Sequence, residues 1–277
     1  MKIGVVDVGG GYRASYGAGV LDYCLSEHIH FDCGIGVSAG SANIGSYYAK
    51  QFRRNYRFYT EYAFRRSYAS VYEMLKHGSY INLPYIYGTL SNVGGENPLN
   101  LPAIINDPAV FEIVATDGLT GDPHYFTKYD LKQDHYDVFM ASCCVPVAAK
   151  PWVIDGRPYF DGGLSDPIPF ERAFQHGCDK VVIILTRPVG PHNTKKNDEK
   201  LSMLIKEYPR IAEDLRNRSA VYDRQLAAAE ELEKEGKVMI IAPDDIEGMK
   251  TLKKDKQAIK DLYHKGAKDA RKISEWF

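Results

Sequence analysis

The chain has 277 residues, 44% of them hydrophobic and 26% charged, with 35 Lys and Arg against 36 Asp and Glu. That is globular composition, long enough for one large domain or a domain with an appended segment. A net charge of −1 gives no field for nucleic acid, and no run approaches the ~18 apolar residues that would span a bilayer. Five cysteines, with Cys143 and Cys144 adjacent, fit reduced thiols in a cytoplasmic protein better than a disulfide framework. No C-x-x-C or H-E-x-x-H occurs, so neither a metal nor another cofactor is expected.

Residues 2–8 read as a buried strand that begins at once, leaving no room for a secretory leader. Gly9-Gly10-Gly11-Tyr12-Arg13-Ala14 follows, and a helix is predicted from Ser15, with Val20, Leu21, Cys24 and Leu25 at helical spacing. Three glycines let the backbone approach a ligand and present N–H groups as an anion-binding concavity. A dinucleotide fingerprint would need glycine where Ala14 stands and an acid at the end of the second strand, where Val37-Ser38 stands. An oxyanion loop needs only two N–H donors near a nucleophile. Arg13 would brace this loop, contact a polar headgroup, or lie on the surface.

The second strand carries Phe31, Cys33, Ile35 and Val37 and runs into Gly36-Val37-Ser38-Ala39-Gly40, a G-x-S-x-G sequence ahead of a helix predicted over 41–49. Such a turn projects the serine hydroxyl from the sheet. Gly36 and Gly40 remove Cβ atoms that would clash, and the helix aims its N–H groups at a developing oxyanion. Residues 50–66 hold six basic residues, one acid and six aromatics. They would either line a lipid site or form an amphipathic helix with aromatics inward and arginines in water.

Residues 78–108, rich in Gly, Asn and Pro, read as a long irregular excursion of the kind that forms lids or substrate walls. A strand is predicted over 111–116, its antiparallel partner over 125–127, and a helix over 135–144. A hairpin over 152–160 turns at Asp155-Gly156 and leads to Asp161-Gly162-Gly163. On its own an Asp-Gly-Gly is a turn. Asp166, the nearest other carboxylate, precedes Pro167 and reads as a turn residue capping the next helix.

With these three motifs in this order, the chain resembles the patatin-like phospholipases over about residues 1–190. The resemblance implies Ser38 as nucleophile and Asp161 as general base, with Gly162 and Gly163 completing the acid motif. It also implies an oxyanion hole from the Gly9, Gly10 and Gly11 amides. The substrate would be a phospholipid or another acyl ester, with peripheral membrane contact as an option. Ala14 departs from the family's usual glycine. The fold expected is α/β, a three-layer sandwich with a mostly parallel central sheet. Two rival readings stand beside it. One is an α/β-hydrolase with a Ser-His-Asp triad, using His176, His192 or His264. The other is a non-catalytic lipid-binding protein on the same scaffold.

Residues 180–186 read as a further buried strand. Residues 191–277 are expected as a largely helical extension packed on the catalytic part. They open with a polar linker over 192–200. A long helix beginning after Pro209 follows, with Ile211, Leu215, Tyr222, Leu226 and Ala229 on one face, then a short strand over 238–241. A last helix starts near Asp255. Residues 253–272 carry eight Lys or Arg against three Asp, which fits an anionic membrane, a solvated face or a helical cap.

Overall fold

The computed structural model describes residues 1–191, 194–246 and 248–277. In chain order they form β1 (Ile3–Asp7), α1 (Ser15–Ser26), β2 (Cys33–Val37), α2 (Ala39–Tyr48), α3 (Arg54–Thr60), α4 (Val71–His77) and α5 (Leu101–Asn106). Then come β3 (Val110–Asp117), β4 (Pro123–Thr127), α6 (Asp137–Ser142), β5 (Trp152–Ile154), β6 (Arg157–Asp161), α7 (Phe170–Gln175) and β7 (Lys180–Ile184). The chain finishes with α8 (Lys195–Ser202), α9 (Pro209–Lys234), β8 (Val238–Ile241) and α10 (Lys256–Asp269).

Neighbouring strands β3, β2, β1, β7 and β8 pair in parallel, while β4 and β6 pair antiparallel with β3, and β5 with β6. The central strands are apolar on both faces because helices cover both. Ile3, Val5, Phe111, Ile113, Val182 and Ile184 belong to one core. Their alternates Val6, Ile35, Val37, Val114, Val181 and Ile183 belong to the other. Gly34 has a specific use: a Cβ there would lie 2.6 Å from the Tyr48 ring, so the missing side chain lets α2 settle on the sheet.

The last quarter of the chain is woven into this frame. β8 extends the sheet beside β7, and on β8 the Ile240 N–H donates to Glu233 Oε1 of α9 at 2.7 Å. Helix α10 lies tightly along α1. A Cβ on Gly19 would sit 1.9 Å from the Tyr263 carbonyl oxygen, and one on Gly266 would sit 2.0 Å from that of Tyr16. Tyr263 donates to Asp22 at 2.7 Å and Tyr16 to Asp269 at 2.9 Å. The apolar face of α10 (Ala258, Ile259, Leu262, Tyr263) is thus buried within the protein. Among the described residues no helix is long and apolar enough to cross a membrane.

Three expectations need correction. The stretch over 192–200 is not simply a linker, since Lys195–Ser202 is helical. Its sequence shows no apolar stripe because it docks through charge: Asp198 is buried and grips Arg218 of α9 through both carboxylate oxygens, at 2.7 and 2.9 Å. The excursion over 78–108 contains a helical turn at Pro84–Thr89 and the whole of α5. Residues 50–66 do not form one amphipathic helix. Lys50 and Arg53 adopt left-handed backbone, α3 is confined to Arg54–Thr60, and Arg54 is buried rather than in water.

Candidate active site

Strand pairing brings the motifs together. β4 occupies one edge of β3 from Glu112 to Thr116, so β2 and β6 must share the other. On that edge Val37, the last residue of β2, pairs with Val114, and Asp161, the last residue of β6, pairs with Ala115. The two strands run toward each other and stop at adjacent positions. Ser38 and Asp161 therefore emerge side by side, and the glycine loop after β1 leaves the sheet next to them.

Ser38 has φ 54° and ψ −131°, a conformation costly for any residue with a Cβ, on the order of 1–3 kcal/mol. Surrounding bonds hold it there. Its N–H donates to Ser142 Oγ at 2.9 Å, and the Ser142 hydroxyl in turn donates to the Val114 carbonyl oxygen at 2.6 Å. Its carbonyl accepts the Ser41 hydroxyl at 2.6 Å. The motif glycines give space rather than φ: a Cβ on Gly36 would lie 2.2 Å from Ser41 Cα, and one on Gly40 would lie 2.2 Å from the Asp7 carbonyl oxygen.

Asp161 is buried, and burial pushes its carboxyl above the usual range, which makes it a stronger base. The Ser38 hydroxyl, the Gly163 N–H and the Arg218 charge pull partly the other way. The Gly163 N–H reaches Asp161 Oδ1 at 2.9 Å. Gly162 allows the chain to turn away, since a Cβ there would strike the Val114 carbonyl oxygen at 2.3 Å.

Gly9, Gly10 and Gly11 have φ of 66°, 120° and 60°, so the loop needs glycine at each position. Their amides are not equivalent. The Gly9 N–H is taken by Asp7 Oδ1 at 2.9 Å, whereas those of Gly10 and Gly11 donate to no residue among those described. Ala14 sits in ordinary helical backbone with φ −65°, so no glycine is required there.

Sequence reasoning missed the brace under this loop. Asp7 is fully buried and holds Gly9 with one oxygen and Asn43 Nδ2 of α2 with the other, at 2.8 Å. Burial raises its carboxyl to about 6, with Asn43 and Gly9 opposing the rise. A carboxylate ending an apolar strand two residues before a glycine run was the available signal.

Ser38 lies where two cavities meet. One is apolar, with Phe58, Tyr59, Leu83, Ile86 and Tyr87 in its wall. The aromatic-basic stretch and the excursion over 78–108 thus build part of it. The buried Arg54 also lines this cavity, donating to Ser46, Ser91 and the Asn97 carbonyl, with no carboxylate partner among the described residues. The other cavity is polar; Ser38, Asp161 and the glycine loop share it with Arg13, Arg187 and Arg218. Arg13 is mostly buried, not an ordinary surface arginine. Burial first, then the neighbouring Arg187 charge, draws it down to about 10.

No histidine lines either cavity among the described residues. His176 Nε2 lies 3.0 Å from Glu112 Oε1, and His264 packs its ring near Tyr56 and Tyr263. His192 lies outside the described residues. Asp166 does not cap α7, whose N-cap is Pro169; it is buried and accepts from Tyr125 at 2.6 Å and Gln225 at 2.5 Å. The five cysteines are free and buried. No group of three or more His, Cys, Asp or Glu that could hold a metal occurs among the described residues.

Comparison with known proteins bears on this arrangement. A family model described as patatin-like phospholipase matches residues 8–174, and a domain of unknown function, DUF6363, matches residues 208–276. An uncharacterized protein, YjjU of Escherichia coli strain K12, is 28% identical over 192 residues, which is 68% of this chain. The chain spans about half of that relative, 52% of its length. The crystal structure of VipD from Legionella pneumophila aligns over 99% of this chain and 67% of its own, at 14% identity and a TM-score of 0.49.

Proposed function

The chain belongs to the patatin-like phospholipase family, and on that premise we propose that it hydrolyses carboxylic esters of lipids through Ser38 and Asp161. The observation that carries this reading is the meeting of β2 and β6 on one edge of β3, which sets a strained serine beside a buried carboxylate. Residues 1–190 would form the catalytic part, with 191–277 completing its walls.

In this mechanism Asp161 takes the proton of Ser38 as its Oγ attacks the ester carbonyl. The Gly10 and Gly11 amides, unclaimed among the described residues, receive the tetrahedral oxyanion; losing one such donor typically costs about 2.7–4 kcal/mol of barrier reduction. Collapse expels the alcohol, which regains a proton from Asp161, and leaves the acyl group on Ser38. Water, deprotonated by the same carboxylate, then attacks the acyl carbonyl; the bond to Ser38 Oγ breaks, Asp161 returns the proton to that oxygen, and the fatty acid is released. The apolar cavity suits the acyl chain and the polar cavity the alcohol portion.

The deciding experiment is covalent labelling by a fluorophosphonate, read by intact mass, on the native chain and on Ser38→Ala, alongside turnover of p-nitrophenyl esters. One adduct lost with Ser38 is expected. A folded native chain that neither labels nor turns over any ester would leave the non-catalytic lipid-binding reading.

A further inference from the structure

Helix α4 carries its residues the wrong way round for a helix facing water. Its acid, Glu73, is buried, accepting from Asn82 Nδ2 at 2.8 Å with His77 Nε2 at 3.7 Å. Its apolar residues point out: Val71, Tyr72 and Leu75 are 67, 44 and 82% exposed. Leu75 comes four residues after Val71 and three after Tyr72, so the three share one face. A helix on a soluble surface turns its apolar stripe to the core and its charges outward. One exposed leucine needs no explanation, but an apolar face opposite a buried acid does.

Cations surround this face. Arg66 lies over the Tyr72 ring with its Cζ 4.1 Å from the centroid, and Lys76 Nζ is 5.8 Å from the same point. Lys256 Nζ is 5.7 Å from the centroid of Phe64, another exposed aromatic. Lys254 Nζ donates to the Ala69 carbonyl at 2.6 Å, and Lys150 lies against Gly78, where a Cβ would come 2.5 Å from its Cε. None of these cations has a carboxylate within ion-pair distance among the described residues, while Glu61, Glu96 and Asp255 nearby are paired with Arg57, Arg65 and Lys253.

The helix is also joined to the site. It forms the tip of a loop closed at its base, where the Ser70 N–H donates to the Tyr80 carbonyl at 3.0 Å and the Asn82 N–H to that of Tyr68 at 2.9 Å. Tyr68, Ile81 and Leu83, at that base, line the apolar cavity that reaches Ser38. A second copy of this face would set cations against cations. An anionic bilayer matches both features, its acyl region taking the apolar side chains and its headgroups the positive charge.

We infer that α4 is the surface by which this protein docks on an anionic lipid bilayer, bringing the apolar cavity over the membrane. The choice of a bilayer over an acidic protein rests on the proposed hydrolase reading, but docking is measured without turnover.

The Ser38→Ala chain is sedimented with two-to-one phosphatidylcholine–phosphatidylserine vesicles and with phosphatidylcholine alone. Binding about tenfold or more tighter to the anionic vesicles is expected, weakening as salt is raised. The double variant Val71→Ser, Leu75→Ser should lose about tenfold or more of that affinity, and Arg66→Gln or Lys76→Gln about fivefold each. These side chains are exposed, so the fold is expected to survive, and Tyr72→Trp gives a reading that needs no loss of binding. Its added emission should shift to the blue on anionic vesicles and be quenched by brominated acyl chains. On a soluble p-nitrophenyl ester, the double variant with Ser38 intact should keep native kcat/KM. Docking through α4 with no ester turned over by the native chain would support the inference while removing the hydrolase reading. Ester turnover without vesicle binding would do the reverse. Equal binding to both vesicles, or binding indifferent to the α4 substitutions with no shift from Tyr72→Trp, would overturn the inference. So would a dimer that the double variant abolishes in a chain that binds no vesicle, which would give the face to a second copy.

Discussion

The Tyr12 N–H donates to the Thr251 carbonyl oxygen at 3.0 Å, tying the glycine loop to the far end of the chain. The same carbonyl oxygen would lie 2.2 Å from a Cβ on Gly11. A backbone atom cannot give way as a flexible side chain can. Gly11→Ala is therefore expected to displace the loop and lower kcat about tenfold or more, with circular dichroism unchanged. Gly10→Val should act similarly, since its Cβ would meet Thr186 Oγ1 at 2.6 Å. Steady-state kinetics on a soluble ester is the check; native kcat in both folded variants would make the loop structural only.

The choice between dyad and triad turns on five residues. Asp161→Asn should be as damaging as Ser38→Ala, because an amide cannot take the proton. His176→Ala, His192→Ala and His264→Ala should each retain most activity. Asp166→Asn should also retain activity, its carboxylate being engaged by Tyr125 and Gln225. Because burial raises Asp161, activity should fall on the acid side at a pH above the ordinary carboxylate range. A single histidine variant as inactive as Ser38→Ala would install the triad instead.

Asp7 gives a prediction that separates brace from donor. Asp7→Ala strips acceptors from both Gly9 and Asn43 in a fully buried place, with an expected loss of about 1–3 kcal/mol in stability. It should also lower kcat by about tenfold, since the loop amides lose their anchor. Asn43→Ala keeps the Gly9 contact and should cost stability with a smaller effect on kcat. Urea melts and kinetics on both variants read this out, and equal kcat losses would contradict the assignment to the loop.

Asp214 offers a test on stability alone. Its carboxyl is raised from 3.8 to about 7 by burial and then by the charges of Glu213 and Asp122, and Oδ2 has no hydrogen-bond partner among the described residues. Between these pH values the unfolded chain releases the proton while the folded chain keeps it. Stability from this group is therefore full below 3.8 and lost as pH rises through about 7. Asn carries no such penalty. Asp214→Asn should gain on the native chain as pH climbs, reaching about 1 kcal/mol, or ~2–4 °C in Tm, near pH 8 after allowance for partial exposure. Thermal melts at about pH 5 and pH 8 check it, and a difference that does not grow with pH would refute it.

The sheet and the three sequence motifs were legible because each had a local signal. Runs of apolar residues marked β1, β2, β3 and β7, Asp155-Gly156 marked the hairpin, and the spacing of Ile211 to Ala229 marked α9. Asp198, Arg218 and Arg54 had none. Asp198 and Arg218 are twenty positions apart and become partners only after α8 folds against α9. Nothing near Arg54 in sequence announces burial, because two of the three groups that satisfy it, Ser91 and the Asn97 carbonyl, come from a distant loop. The unequal roles of the three glycine amides likewise depend on where Asp7 points.

Strand β8 also governs how the protein behaves in a crowded solution. A sheet that ends in an apolar strand offers its bare backbone to any neighbour that can add to it. Here Glu233 reaches back from α9 and occupies the Ile240 amide at that margin. Its carboxylate also puts negative charge where a second copy would have to pair. Removing that one side chain would turn the end of the sheet into a template for self-association, with the surroundings of Ser38 untouched.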